Sequence, residues 1–411
     1  MNKTSLVFIL FFASKNLSAQ RNNLDYFINQ AAYNSPLIKD YQNQILSNSL
    51  DSQILRATLR PQVSGISNNS YAPVTNGFGY DEAITNGGQV SALLSVNKSF
   101  FSSRSISSQI ANIQLQSQGL SNTVKISQQD LRRTITAQYI VVYSDLLQLN
   151  FEKQINELLR NEDSILKKLT QNNVYRQSDY LAFVVTLQQH ELITAQLEIQ
   201  YKFDYANLNY LAGIYDTLMP PLQDPQIHLS RLADYTNSVF FYQYHIDSLK
   251  LENQKTLIAL SYRPKLNVFA DAGFNSTLAY RAYKNFGTSF GVNISVPIYD
   301  GRQKKLQFSK IAISERTRIN NRDFFFRQYQ QQVAQLTQQL NATENLIEQI
   351  NKQVKYTETL ISVNRKLLET GDIKLTDYVM ALNNYFTAKN LLNQNYISHL
   401  NILNQLNYWD K

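Results

Sequence analysis

The segment from Arg263 to Arg302 limits this chain's possible folds more than any other, because it alternates twice. Leu266, Val268, Ala270, Ala272 and Phe274 share one face, while Asn267, Asp271, Gly273 and Asn275 share the other with Phe269 as an exception. After a polar, aromatic loop the pattern returns, with Phe290, Val292, Ile294, Val296 and Ile298 opposite Gly291, Asn293, Ser295 and Tyr299. Period-two patterning over about ten residues predicts membrane β-strands, apolar toward lipid and polar toward a lumen.

A fainter copy precedes it. Arg60-Pro61-Gln62-Val63 matches Arg263-Pro264-Lys265-Leu266, and Phe100 to Arg104 matches Ile298 to Arg302. Val90, Ala92, Leu94 and Val96 alternate with Gln89, Ser91, Ser95 and Asn97, Leu93 being the exception. The run Val63, Gly65, Ser67, Asn69 is hardly an apolar face. Further on, Ser178-Asp179-Tyr180 matches Thr376-Asp377-Tyr378. A repeat of about 200 residues implies tandem duplication of a whole unit, not a short-period solenoid.

Between the hairpins the sequence predicts very long helices. Asn34-Ser35-Pro36 opens a helix running toward Leu59, proline being tolerated in the first turn. Ser103 to about Thr170 contains no proline and only Gly119, enough for a helix of about 100 Å. Ile135, Tyr139, Val142, Leu146 and Leu149 keep the four-and-three spacing of a coiled-coil seam. Asn172-Asn173 ends that helix and a return helix runs from Ser178 to about Leu211. The second unit repeats the order, with a helix from Gln303 to Thr370, Gly371 as the break, and a helix from Thr376 to Trp409. The expected divisions are an export signal at 1–19 and a first repeat at 20–212 (hairpin about 61–101, tip about 171–178). A linker at 213–230 and a second repeat at 231–411 (hairpin about 264–299, tip about 370–376) complete the chain.

The export signal rests on Lys3, the apolar run Leu6–Ala13 and Leu17-Ser18-Ala19 before Gln20. The 411 residues include no cysteine, which excludes a disulfide framework and acylation at an N-terminal cysteine. No run of eighteen apolar residues offers a transmembrane helix, so strands must do any spanning. The net charge of +8, or +6 without Lys3 and Lys15, is scattered rather than clustered. With the export signal it argues against nucleic-acid binding.

Two hairpins supply four strands, which cannot close, and an open edge in lipid strands unpaired backbone groups. Closure therefore requires further copies, and three copies give twelve strands around a lumen. The two Arg-Pro strand starts, the run Ser295 to Arg302, the two Asp-Tyr helix starts and the duplicated order together resemble the TolC family of outer-membrane efflux proteins over Leu24–Trp409. The resemblance implies a mainly α fold with membrane β-hairpins, each repeat holding two long coiled-coil helices, shorter helices and one hairpin. It implies a homotrimer with a twelve-stranded barrel in outer-membrane lipid, an α-helical barrel across the periplasm, and an equatorial region near 213–230. It also implies a passive exit duct working with a periplasmic adaptor protein and an inner-membrane pump or type I secretion exporter. A trimeric surface coiled-coil adhesin with a barrel anchor is the alternative, opposed by hairpins that are internal and duplicated. A periplasmic coiled coil without any barrel is opposed by the alternation itself.

No enzyme and no cofactor is expected. His190, His228, His245 and His399 are scattered, and His190-Glu191 lacks the second histidine of a zinc-binding HExxH, so packing or surface roles fit them. The candidate site is the pair of tips. Asp179 and Asp377 each lie six residues after a residue suited to left-handed backbone, Asn173 or Gly371, and each follows a hydroxyl residue. One reading is capping, with Ser178 or Thr376 as N-cap and the carboxylate favoured by the helix dipole. The other is a periplasmic entrance, where threefold symmetry makes one aspartate into a ring. The resemblance places a cation-sensitive constriction at Asp377 and one turn later, where this chain has Met380. The resembling family's closing Tyr and Arg fall on Leu368 and Ile373, with Lys374 as a substitute cation.

Overall fold

The computed structural model describes residues 22–81, 87–230, 238–277 and 282–409; the expected signal at 1–19 lies outside them. The elements in chain order are α1 (Leu24–Asn34), α2 (Pro36–Thr58), β1 (Gln62–Tyr71), β2 (Gly88–Phe100), α3 (Ser103–Gln171) and α4 (Gln177–Ala212). They continue as α5 (Val239–Ser261), β3 (Lys265–Thr277), β4 (Phe286–Ser295), α6 (Gln303–Thr370) and α7 (Leu375–Asn407). Two compact units cut across this order, a strand unit of residues 40–123 and 240–323 and a helical unit made of the rest.

In the strand unit the four strands form one antiparallel sheet in the order β1-β2-β3-β4. The alternation in the sequence appears as two unlike faces. Leu94, Val292 and Ile294 stand exposed, whereas Ser91 and Ser95 are buried. Hydrogen bonds stitch the polar face. Ser91 Oγ donates to the Asn68 carbonyl at 3.0 Å and accepts from the Asn68 N–H at 3.1 Å. Gln89 reaches Asn275 across strands at 3.2 Å.

The two exceptions to the alternation have a common cause. Phe269 is register partner to Gly291 and its ring fills the space a Cβ there would need. Leu93 is partner to Gly273, where a Cβ would strike the Ala92 carbonyl. Each large side chain on the polar face lies across a residue with none, a known way to cover a strand glycine.

The matched motifs that leave the hairpins are helix starts. Ser102 Oγ accepts from the Ser105 N–H at 3.2 Å ahead of α3. Asp300 accepts from the Arg302 N–H at 2.9 Å and the Lys304 N–H at 2.8 Å ahead of α6. These hydrogen bonds to the charged form hold the Asp300 carboxyl below the usual carboxylate range, the Lys304 N–H contributing most.

In the helical unit the predicted α3 seam lies in the core. Ile135, Tyr139, Val142, Tyr205, Leu208 and Phe27 make one cluster around α1, α3 and α4. Leu336, Leu340, Ile402, Leu403 and Leu406 make another between α6 and α7. Residues 213–230 have no regular structure yet are tied down at several points. The Tyr139 hydroxyl lies 2.8 Å from the Asn22 carbonyl and 2.7 Å from that of Gln223. Asp224 accepts from Tyr143 at 3.2 Å and from Tyr396 at 2.9 Å. The Asn407 amide donates to the His228 carbonyl at 2.7 Å. The stretch is a connection strapped to the helices α3 and α7.

Two apolar stripes in this unit cover nothing. Val185, Leu192 and Ile199 recur every seven residues on α4, followed by Phe203 and Tyr210, all exposed. Leu346, Leu360 and Leu367, flanked by Tyr356 and Val363, hold the same frame on α6 with Gln353 as its one polar position, and all five apolar residues are exposed.

Candidate functional site

Both long helices end in the same way. Asn173 (φ 62°) and Gly371 (φ 78°) take left-handed backbone. The next N–H turns back to close the helix, Val174 to the Leu169 carbonyl at 2.9 Å and Asp372 to that of Leu367 at 2.9 Å. The return helices then start from extended residues, Arg176 (φ −74°, ψ 146°) and Lys374 (φ −74°, ψ 142°).

This placement corrects the capping expectation. The N-caps are Arg176 and Lys374, neither with a side-chain cap hydrogen bond, so Ser178 and Thr376 are second helical residues and Asp179 and Asp377 third. The first turn tolerates this because the Asp179 and Asp377 N–H groups donate to the Arg176 and Lys374 carbonyls, each at 3.1 Å, and a carboxylate there still meets the positive helix end. Asp377 and Met380, three residues apart on α7, are both exposed and share a face. Lys374 is exposed and makes no ion pair among the described residues. Asp179 is half-buried, with the Ser178 hydroxyl 3.4 Å from Oδ1.

The two tips meet. An ideal Cβ on Gly371 would stand 3.1 Å from a Val174 methyl. The Tyr175 hydroxyl lies 3.1 Å from the Leu368 carbonyl and 3.0 Å from that of Ile373. Leu368 itself is fully buried with Leu166, Phe183, Leu375, Tyr378 and Phe386. Leu368 and Ile373 therefore join the tips through a core side chain and two backbone carbonyls.

Beneath that contact lies a polar cluster with Glu162 at its centre. Glu162 is 0% exposed, and Arg365 Nε stands 2.9 Å from its Oε1. No N–H or O–H is aligned on either carboxylate oxygen, so the link is charge pairing rather than a formed hydrogen bond. Burial raises the Glu162 pKa, opposed by the Arg365 guanidinium and the Tyr378 hydroxyl beside it. The Tyr378 hydroxyl is pushed above its ordinary range by burial first and by Glu162 second. Tyr180, the equivalent residue of α4, is raised by desolvation and by the neighbouring Asp163. The tyrosines of the two Asp-Tyr motifs thus address adjacent acids of one helix, α3. The sequence held a signal for this: Ile155, Leu159, Glu162 and Leu166 keep seam spacing, with a charge where an apolar residue belongs.

Two histidines of the same unit have acidic partners, His399 with its Nε2 3.2 Å from Glu344 Oε1 being the more exposed pair. His190 Nδ1 is 2.9 Å from Glu152 Oε2, and its ring meets Phe386 edge-on at 5.2 Å, a packing role. Among the described residues no group of three or more His, Asp or Glu could hold a metal, and no helix is long and apolar enough to cross a membrane.

No family model and no curated relative matches the sequence. Solved structures do match its fold. CusC, whose crystal structures describe folding and transmembrane channel formation, superposes with a TM-score of 0.77 at 11% identity over 94% of this chain and 92% of its own. The outer membrane protein VceC of Vibrio cholerae gives 0.73 at 12% identity over 94% and 95%. The CmeC outer membrane channel of Campylobacter jejuni gives 0.72 at 12% identity over 94% and 85%. The fold is that of outer-membrane channels of the TolC type, along nearly the whole chain.

Proposed function

We propose that the chain is one subunit of a trimeric outer-membrane channel-tunnel, a passive exit duct for an inner-membrane efflux pump or type I secretion exporter reached through a periplasmic adaptor. The observation that carries the reading is the sheet of the strand unit, exposed and mainly apolar on one face of β2, β3 and β4, polar and hydrogen-bonded on the other. Aromatic residues bound that exposed face at both ends. Phe274, Phe286 and Tyr71 stand at the loop end, and Phe100 at the helix end. Ala92, register partner of Phe274, and Phe100 are eight residues apart on β2, about 26 Å of strand before tilt. That is the scale of an outer-membrane apolar band between aromatic girdles.

The helical unit supports the same assembly independently. Val185 and Val363 each lie about two turns from their tips, and Leu192 and Tyr356 about four. α4 leaves its tip and α6 arrives at one, so the two uncovered stripes match in register as antiparallel partners between neighbouring copies. In this assembly the tips form the periplasmic entrance, with Asp377 as an acidic ring, Met380 as a soft apolar collar, and Asp179, Lys374, Gly371 and Asn173 shaping the turns. The cluster of Glu162, Arg365 and Tyr378 holds each tip closed.

Outer-membrane fractionation followed by planar-bilayer recording tests the reading. The expected result is a conducting protein in the outer-membrane fraction, with modest block by divalent cations added on the periplasmic side. A single carboxylate ring attracts cations without clamping them, so Asp377→Asn should abolish block and Met380→Asp should strengthen it. Absence of conductance would remove the channel; unchanged block in both variants would remove Asp377 from the entrance.

A further inference from the structure

Outside the tip, the helical unit buries a second acid for which the duct has no use. Asp145 on α3 is 8% exposed, and its Oδ2 has no N–H or O–H donor. The group it faces across the α3–α4 contact is another carboxylate, Asp204, also 8% exposed. Asp204 is already served. The Gln200 amide donates to its Oδ2, and the Gln138 amide donates to its backbone carbonyl at 3.1 Å. The remaining titratable neighbour is Tyr201 of α4, whose own ionisation is raised by burial and then by Asp145. No cation pairs with either acid among the described residues; Lys153, about two turns along α3, is committed to Glu198 at 3.0 Å.

Two ionised carboxylates side by side in a desolvated contact repel and leave Oδ2 without a donor. One proton removes both penalties, since it neutralises one acid and supplies the missing donor to the other. Burial, followed by the hydrogen bond and charge of Asp204, pushes Asp145 up to about 7. We propose that Asp145 and Asp204 share a single proton at neutral pH and below, and that this proton clasps α3 to α4 as a pH-sensitive joint in the helical unit. The inference does not depend on the channel reading, and its readout is independent of conductance.

The sign is fixed by the direction of the shift. The unfolded acid ionises near 4, whereas the folded Asp145 keeps its proton until about 7. The stabilisation is therefore complete below the unfolded value and is lost as pH rises through the folded one. The test is thermal unfolding of the purified full-length protein in mild detergent between pH 5 and 8.5, with hydrogen exchange of α3 and α4 amides alongside. Wild type should lose melting temperature, and α3–α4 protection, as pH rises toward neutrality. Asp145→Asn puts a permanent N–H donor in place of the proton, so it should flatten that part of the slope and melt higher than wild type at pH 8. Glu162 adds a slope common to both proteins, which their difference removes. Asp204→Asn serves as the second variant and should flatten the same window. Infrared spectra at pH 6 should contain a protonated-carboxyl band that is missing from Asp145→Asn. Parallel pH profiles for wild type and both variants would overturn the proposal, as would recovery of wild-type stability at pH 8 by calcium alone, which would make the pair a cation site.

Discussion

Glu162 is a charge placed where the α3 seam calls for a hydrophobe, and its surroundings decide which variants matter. Its carboxylate is fully buried while Arg365 keeps 43% of its side chain exposed. Removing the cation therefore leaves a buried uncompensated charge, whereas removing the carboxylate leaves an arginine that water can solvate. Arg365→Ala should cost about 3 kcal/mol, and Glu162→Gln should be neutral or stabilising at pH 8, measured by denaturant unfolding in detergent. Because the folded pKa of Glu162 is raised, its share of stability is full at low pH and declines as pH rises above the ordinary carboxylate range. Glu162→Gln should remove that decline. Equal destabilisation by the two variants would contradict the asymmetry. The acids named from sequence, Asp179 and Asp377, were visible because both follow a turn residue. The tyrosines beside them were read only as matching letters, since their partners lie on another helix 15 or more residues away in sequence and seam periodicity does not pair specific side chains.

At the scale of elements, the patterns that rest on period alone were the legible ones. Proline-free runs marked α3 and α6 almost to the residue, and alternation marked β2, β3 and β4. β1 was legible only by its match to β3, because its apolar face is weak, and it pairs with β2 through ten residues all the same. The belt at 213–230 was read as a linker because its three prolines forbid regular structure. What holds it, Tyr139, Tyr143 and Tyr396, comes from distant helices and leaves no local trace. The uncovered stripe on α4 gives a prediction at this scale. Ile199→Asp touches no core cluster, so the subunit should keep its helix content while assembly in detergent is lost. Leu159→Ala, in the buried cluster beneath the tip, should instead cost about 2–5 kcal/mol of folding stability. Analytical ultracentrifugation paired with circular dichroism separates the two. An Ile199→Asp protein that assembles like wild type would mean the stripe is not an interface.

For the whole molecule the decisive fact is an incomplete sheet. β2 and β3 are paired on both sides, but β1 and β4, ten residues each, have one free edge apiece. About half the backbone groups of each edge point outward, and in hydrocarbon each unpaired group costs several kcal/mol. In the proposed membrane assembly the edges must therefore pair with one another, and within one chain they are three strand spacings apart, about 14 Å. Pairing between copies is what remains. Two copies would give an eight-stranded barrel that its own side chains fill, while three give twelve strands and an open lumen. The chain's lack of cysteine makes this directly measurable. A Val63→Cys, Ile294→Cys variant puts one thiol on each free edge, too far apart to bridge within a subunit given the roughly 7 Å limit between Cα atoms. Oxidation in the membrane should therefore give covalent dimers and trimers and nothing larger, and native mass measurement in mild detergent should give three copies. A stable monomer retaining its full strand content, or a bridge formed inside one chain, would break the closure argument and with it the duct.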